Sequence, residues 1–555
     1  MTEQQSNTIQ SLTTPLIFGI TGHRDLREQD IPRLKQSLRN LFADYQQRYP
    51  HTPLVLISAL AEGADMLAAQ AALDMGVALH VLIPYEEPQY LQSFTDKENA
   101  EPVYRQLKAR AACFAVNACV DDHGREACYQ RLGETIARHA NILIALWDGV
   151  DNGKPGGTSA VVRYWREGVR DNRFDSLDGN ALILITTPRQ SHPDIATDFL
   201  PHTECQGKHL QGEAFHRMLQ RLDVHNAKMR QSPEKPSTSP PVGEEPGVRE
   251  AEQQNCQNPD LLARHQQRYD QLALENQKKF KFHAKALLLL TAIAIACLEI
   301  MHALHLDHFI IGYGAGLLAA FALYHFFMRS GQVQDDFVHY RGLAEALRVQ
   351  NAWNRAGILR NVGRDYLRDQ HHKFTWMKIL LKNLYYLNDG AATANTQNPG
   401  PNHWIEEQIT YLRNASKTRD RKYRFWERWE KRLYRAGLAV LIVLFALYLA
   451  ETTHLIEHGA LWLNWHYLVL VSGLLLLAAA VIGEKYMKIE AYEDDIYHFN
   501  ALLADFREAQ QKLNTTNPGS ETWRRIIEDL GRKALNENSK WVVLHDSLRA
   551  RPSVE

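Results

Sequence analysis

The sequence predicts an α/β N-terminal domain built on a largely parallel sheet, followed by an all-α membrane region with four transmembrane helices in two hairpins. Two observations predict it. Between residues 15 and 190, short apolar runs alternate with longer amphipathic segments, the order that yields a parallel sheet covered by helices. Beyond residue 258 lie two pairs of long apolar runs, each pair joined by a short connector. A mean hydropathy of −0.38 averages over these two regimes and hides the second.

The apolar runs of the first region are "LIFGI", "LVLIS", "ALHVLI", "NILIALW" and "ALILIT", each short enough for a buried strand. Helical periodicity fills the intervals at Ile31–Tyr49, Gly63–Met75, Ala100–Ala112, Arg125–His139 and Thr158–Arg170. In such sheets ligands sit beyond the carboxyl ends of the strands. Polar, glycine-rich sequence collects there three times. The first run ends at Gly19-Ile20-Thr21-Gly22-His23-Arg24, and the second at Ser58-Ala59-Leu60-Ala61-Glu62-Gly63-Ala64-Asp65. The fourth ends at Asp148-Gly149, and "NGKPGGTSAVV" then opens the next helix.

Glycines let a backbone approach a ligand closely, and the free N–H groups of a helix start bind anions. Thr21, Ser58, Thr158 and Ser159 add hydroxyls; Arg24 and Lys154 add charge. The expected ligand-binding set is therefore Gly19, Thr21, Gly22, His23, Arg24, Ser58, Ala59, Glu62, Gly63, Asp65, Lys154, Gly156, Gly157, Thr158 and Ser159. A structural reading stands beside several of these. His23 is equally a satisfied loop histidine, and Glu62 and Asp65 are equally caps of the helix that follows.

Gln231–Glu250, "QSPEKPSTSPPVGEEPGVRE", is too rich in proline, serine and glutamate to bury a core and reads as a linker within a 191–257 extension. The first membrane unit is expected at 258–390, with apolar runs Ala286–Ile300 and Phe309–Met328. The second is expected at 403–555, with Gly437–Ala450 and His466–Gly483. A span takes about 20 residues. The second and fourth runs reach or approach that length, whereas the first and third do so only with their flanks, so a buried soluble hairpin is the other reading for those two. "KKFKFHAK" and "RDRKYRFWERWEKRLYR" precede the first and third runs, while the connectors "MHALHLDH" and "ETTHLIEHGALWLNW" carry no lysine or arginine. The positive-inside rule then places the connectors outside and the rest, both termini included, in the cytoplasm of an inner-membrane protein.

"DDFVHYRGLAEALR" after the second run and "DDIYHFNALLADFR" after the fourth share one pattern, as two copies of a hairpin-plus-helix unit would. Their paired aspartates suit a helix start better than a metal site, and no metal or cofactor is expected. Gly312 and Gly316 have the G-x-x-x-G spacing of close helix contacts or of a glycine-tolerant lipid-facing helix. A net charge of −1 gives no general pull toward nucleic acid. Six cysteines without a CxxC pair suit reduced cytosolic thiols, and the N-terminal stretch lacks the features of a signal peptide.

The loops "GITGHR", "SALAEGAD" and "KPGGTSAV" resemble the signature loops of the SLOG superfamily, which includes the DNA-processing Smf proteins and the Lonely Guy phosphoribohydrolases. The resemblance covers about residues 15–190. It implies a Rossmann-like nucleotide-binding domain, and the paired hairpins resemble the two-helix membrane effectors attached to SLOG sensors. Lonely Guy enzymes resemble one another in a catalytic glutamate three residues after the loop threonine; here Val161 stands there. Glu62 is then the one substitute for catalysis, on another loop. The resemblance implies a sensor of a nucleotide or ADP-ribose-type ligand, acting on the lipid bilayer as a homo-oligomer in antiphage defence. A membrane-anchored nucleotide N-glycosidase is the alternative, and single-stranded DNA fits poorly with four spans.

Overall fold

The computed structural model describes residues 12–116, 124–151, 153–168, 179–205, 212–231, 261–304, 307–329, 331–367, 373–388, 401–453 and 462–547. Asn152, Cys119, Cys256, most of the second connector and all but the first residue of the expected linker lie outside them. The described chain divides into two compact units, Met1–Gln266 with Ala346–Gln397 and Gln267–Glu345 with Asn398–Glu555.

The first unit is the expected α/β layer structure. Strands β1 (Leu16–Gly22), β2 (Leu54–Ser58), β3 (Ala78–Ile83), β4 (Cys113–Val116), β5 (Ile142–Trp147), β6 (Ala181–Thr186) and β7 (Pro201–Cys205) form one sheet in the order β4-β3-β2-β1-β5-β6-β7. All neighbours are parallel except β6 and β7. Helices α1 (Ile31–Arg48), α2 (Ala64–Asp74), α3 (Glu87–Leu91), α4 (Lys97–Ala109), α5 (Gly124–His139), α6 (Thr158–Glu167) and α7 (Glu213–Gln231) complete the sequence-contiguous part. β1 has β2 on one side and β5 on the other, so the chain winds outward in both directions from it. That makes the gap beyond the ends of β1 and β5 the topological switch point, where open sheets of this kind hold ligands.

Two strands fall outside the five apolar runs named above. β7 is an exposed antiparallel edge, "PHTEC", which needs no apolar pattern, whereas β4, "CFAV", is apolar but only four residues long and half-buried at the other edge. Cys113, at the start of β4, is disulfide-bonded, which corrects the expectation of reduced thiols at that position; cysteine spacing gave no sign of it. Gly19 lies inside β1 rather than beyond it. A Cβ there would stand 2.8 Å from Ile136 Cγ2 and 2.9 Å from Ala140 Cβ, so this glycine lets α5 pack onto the sheet.

The unit also contains a segment from far along the chain. Helices α8 (Leu261–Leu304) and α10 (Gln332–Arg355) each begin in one unit and end in the other. After α10 come α11 (Val362–Asp365) and α12 (Thr375–Asn388), which sequence patterning grouped with the first membrane unit. α12 instead packs at the amino-terminal edge of the sheet. Asn383 Nδ2 donates to the Pro15 carbonyl (2.7 Å) and to Asn141 Oδ1 (2.8 Å), and Asn141 Nδ2 donates back to Asn383 Oδ1 (3.0 Å). Lys382 Nζ donates to the Ala140 carbonyl (2.9 Å), and the His80 ring and Tyr386 hydroxyl meet at 3.1 Å.

The second unit is all helical: parts of α8 and α10, α9 (Phe309–Leu323, continued as a π-turn over Tyr324–Met328), α13 (Pro401–Thr452), α14 (Trp462–Glu490), α15 (Tyr492–Asn514) and α16 (Glu521–Ser547). Among the described residues four helices are long and apolar enough to cross a membrane, over Leu261–Met301, Phe309–Met328, Asn402–Ala450 and Val469–Asn514, and no more than 11% of any apolar stretch is buried. Both hairpins close on small residues. A Cβ at Gly312 would lie 3.0 Å from Cys297 Sγ and one at Gly316 3.2 Å from Ala294 Cβ, so the G-x-x-x-G face of α9 meets α8 of its own chain. Gly437 and Gly473 bring α13 and α14 together in the same way. The two repeated D-D segments open α10 and α15 alike, with acidic residues in each first turn. Asp495 pairs with Arg419 at 3.0 Å, a structural ion pair.

Candidate functional site

The expected residues fall into two groups: those that hold the carboxyl edge of the sheet together, and those left facing outward from it. The first group is the larger. Gly22 ends β1, where a Cβ would collide with Ala64 Cβ at 2.3 Å. Gly63 has φ +81°, and a Cβ there would lie 2.4 Å from the Arg24 carbonyl oxygen. These two glycines let the first loop lie directly on the second. The first amide of α2, on Ala64, donates to the His23 carbonyl at 3.0 Å, so that helix start is already used by the protein itself.

Ser58, fully buried, accepts from the Leu60 amide at 3.0 Å and supports Leu60 in a left-handed conformation, φ +53°. Ala59 is buried, and its carbonyl accepts the Tyr90 hydroxyl at 3.0 Å. Asp65 closes the same loop from inside. Burial pushes its carboxyl up to about 7, while N–H bonds from Ala61 and Ala59 and the charge of Arg24 act in the opposite direction. Glu62 receives the Thr95 amide at one carboxylate oxygen (2.9 Å) and the Asp96 amide at the other (2.8 Å). It pins the loop between α3 and α4 and leaves Arg24 at a distant 3.9 Å.

His23 lies across the switch point. Its Nε2 is 3.0 Å from Asp148 Oδ1 and accepts the Asp148 amide at 3.0 Å. Burial lowers its pKa against the pull of Asp148. The neutral ring therefore uses Nε2 as an acceptor, and the carboxylate contact becomes an ion pair only on protonation. Asp148 is fully buried and has Arg189 Nε 2.9 Å from its other oxygen. Thus β1, β5 and the turn after β6 are tied together by a His–Asp–Arg cluster.

What remains outward is cationic and aromatic. Arg24, with 39% of its side chain exposed, is positioned by the Ser93 carbonyl (3.3 Å) and the Tyr129 hydroxyl (3.5 Å), with its guanidinium 5.7 Å from the Tyr129 ring centre. Tyr129 on α5 is the hub. Its hydroxyl is also 3.0 Å from those of Tyr85 and Ser93, and Gly156 lies against it so closely that a Cβ there would be 2.5 Å from Tyr129 Cβ. The "KPGG" turn is fixed by Gly157 N–H to the Lys154 carbonyl (3.0 Å) and by the Tyr164 hydroxyl on the Pro155 carbonyl (2.7 Å). It delivers the start of α6, whose first amides have no intrahelical acceptor. Lys154 is exposed beside that helix start, Thr158 is its first residue, and Ser159 is drawn to Asp151, whose carboxyl its hydroxyl and the Gly153 amide hold below the usual range. Thr21 is buried at the end of β1.

Tyr85, Ser93, Tyr129 and Arg189 had no glycine signature to mark them, whereas Asp148 stood beside Gly149. For Tyr85 and Arg189 the signal was positional, since "IPYEEP" and "TTPRQ" are also strand-end turns; Ser93 and Tyr129 carried none. A separate cavity of about 560 Å³ opens between α1 and β7, with His216 at one end, and none of the expected loop residues line it.

No family model matches the chain, and no curated protein matches it. Among solved structures, the X-ray structure of DNA processing protein A (DprA) from Streptococcus pneumoniae is similar at 17% identity and a TM-score of 0.20. The similarity covers 28% of this chain and 48% of that one, so the chain spans about half the length of that protein. A likeness of this size carries no inference about the site.

Proposed function

We propose that the chain is a ligand-gated membrane effector. In this reading a nucleotide-derived signal, of the cyclic or ADP-ribose type, binds at the switch point of the α/β unit. Binding then biases the arrangement of the four apolar helices in a homo-oligomer in the bacterial inner membrane. The observation that carries it is the convergence on Tyr129 of Arg24 and the "KPGG" turn. A fork-shaped cation, a helix start and aromatic rings stand together where parallel sheets bind nucleotides. The apolar helices support the second half. Residues such as Leu289, Phe321, Ile442 and Phe445 are more than half exposed, and soluble monomers rarely carry apolar patches of that extent. The SLOG resemblance adds antiphage defence as the setting.

Binding without turnover is favoured over N-glycosidic hydrolysis by the state of Glu62. A general base must reach the water it activates, and both oxygens of Glu62 are already engaged by backbone amides. The ligand can switch the membrane helices only through a difference in affinity between two arrangements.

The test is thermal shift of the full chain in mild detergent against AMP, ADP, cyclic dinucleotides and ADP-ribose, followed by chromatography of the ligand. A shift with intact ligand, lost in Arg24→Gln and Lys154→Gln, supports the sensor. Recovery of free base and ribose phosphate replaces it with the glycosidase. No shift with any compound removes the site altogether.

A further inference from the structure

The third apolar run is too short for the membrane it is read as crossing. At 1.5 Å per residue, Gly437–Ala450 covers about 20 Å, against about 30 Å of hydrocarbon. α13 makes up the difference from the residues before Gly437, and those are basic and aromatic. The packing against α14 fixes their level. A Cβ at Gly437 would lie 2.9 Å from Leu477 Cγ, and one at Gly483 would lie 3.9 Å from Glu430 Cβ. Between these two contacts α14 carries only "LAAAVIG", Leu477–Gly483, whereas α13 carries Arg432 and Arg435. Two arginines therefore stand level with the apolar end of the neighbouring helix.

They belong to a stripe. Arg421, Phe425, Arg428, Arg432 and Arg435 recur at four- and three-residue steps, which places them on one helix face. All five are exposed. Trp426 points the other way, its ring 4.8 Å from that of Tyr486 on α14, so the arginine face is turned away from the hairpin partner. Two other cations of the segment are paired along the helix, Arg424 with Asp420 and Lys431 with Glu427, and Arg419 reaches Glu490 and Asp495. Arg428, Arg432 and Arg435 have no carboxylate within ion-pair distance among the described residues. Trp429 and Tyr434, 45% and 52% exposed, flank them as interfacial aromatics do.

We propose that Arg428, Arg432 and Arg435 form a binding stripe for the phosphates of anionic phospholipid headgroups. The three span about 10 Å along α13, the depth over which long side chains reach from the hydrocarbon edge to the phosphate layer. A guanidinium there takes a phosphate as a fork, and basic residues next to a span are drawn to anionic lipid. The inference rests on the membrane reading above.

The experiment uses the full chain in a zwitterionic detergent, titrated with short-chain phosphatidylglycerol, phosphatidylcholine or inorganic phosphate and read by native mass spectrometry and melting temperature. Phosphatidylglycerol is expected to bind and to raise the melting temperature, with the other two inert. The triple variant R428Q/R432Q/R435Q should bind it at least about tenfold more weakly, while R421Q, farther from the apolar level, changes little. Equal binding of phosphatidylcholine, or undiminished phosphatidylglycerol binding by the triple variant, overturns the stripe alone. A chain that stays monodisperse without detergent overturns the membrane reading and the stripe with it.

Discussion

Gly63 shows how much of the glycine signal is internal to the protein. Its φ of +81° is costly for an L-residue, and its missing Cβ would sit 2.4 Å from a backbone oxygen that cannot swing aside. Gly63→Ala is expected to cost about 2 kcal/mol or more, measured as a lowered melting temperature. Unchanged melting would mean that the two loops are not stacked. Asp65 gives a prediction with a sign. Its carboxyl titrates at about 7 in the folded chain against 3.8 as a free group. The raised value means the folded state holds the proton more tightly, so Asp65 contributes stability that is full below about pH 4 and lost as pH rises through 7. Asp65→Asn should flatten that part of the stability-versus-pH curve. Wild-type and variant curves running parallel from pH 4 to 8 would contradict the burial argument. Arg24→Gln belongs to a different class: a half-exposed cation outside the loop-to-loop packing, whose loss should weaken ligand binding with little effect on melting.

Among the elements, the central strands were legible because burial on both faces demands continuous apolar sequence, as in "NILIALW" for β5. β7 escaped for the converse reason, since an edge strand is free to be polar, and β4, "CFAV", escaped because four apolar residues are too few to mark a strand. The loops at the switch point were found by their glycines. Yet Gly19 serves helix packing, and Ser58, Glu62 and Asp65 are consumed inside the fold, because spacing along a chain does not say which way a side chain turns. α12 was out of reach altogether. Nothing in "TWMKILLKNLYYLN" says that Asn383 will meet Asn141, 242 residues away. That contact makes its own prediction. Asn383→Ala leaves the Pro15 carbonyl and both polar groups of Asn141 with one partner fewer in a buried place, a loss of about 2–4 kcal/mol. Melting of the full chain, followed by circular dichroism, should report it. A cost below about 0.5 kcal/mol would show that α12 does not bear on the sheet.

For the whole molecule, the proposed function raises the question of which side of a bilayer each part occupies, and the basic residues supply an expectation. Lysine and arginine crowd the segments before the apolar part of α8 and before the apolar part of α13, and both are absent from the two connectors. In the reading we propose, retention of basic segments on the cytoplasmic side puts the α/β unit, α15 and α16 on that side and both connectors opposite. The repeat agrees, since α10 and α15 follow their hairpins in the same way and should share a side. Two exposed positions test it: Asp307 in the first connector and Asn517 between α15 and α16. With exposed native thiols replaced, Asp307→Cys should react with a membrane-impermeant maleimide in spheroplasts, and Asn517→Cys only after permeabilisation. The reverse pattern would keep the spans and discard the charge rule. Labelling of neither before permeabilisation, with the protein released by alkaline carbonate, would mean that the hairpins lie against the membrane without crossing it. A ligand bound at the switch point would then have no route to permeability, and the proposed effector function would fall with the topology.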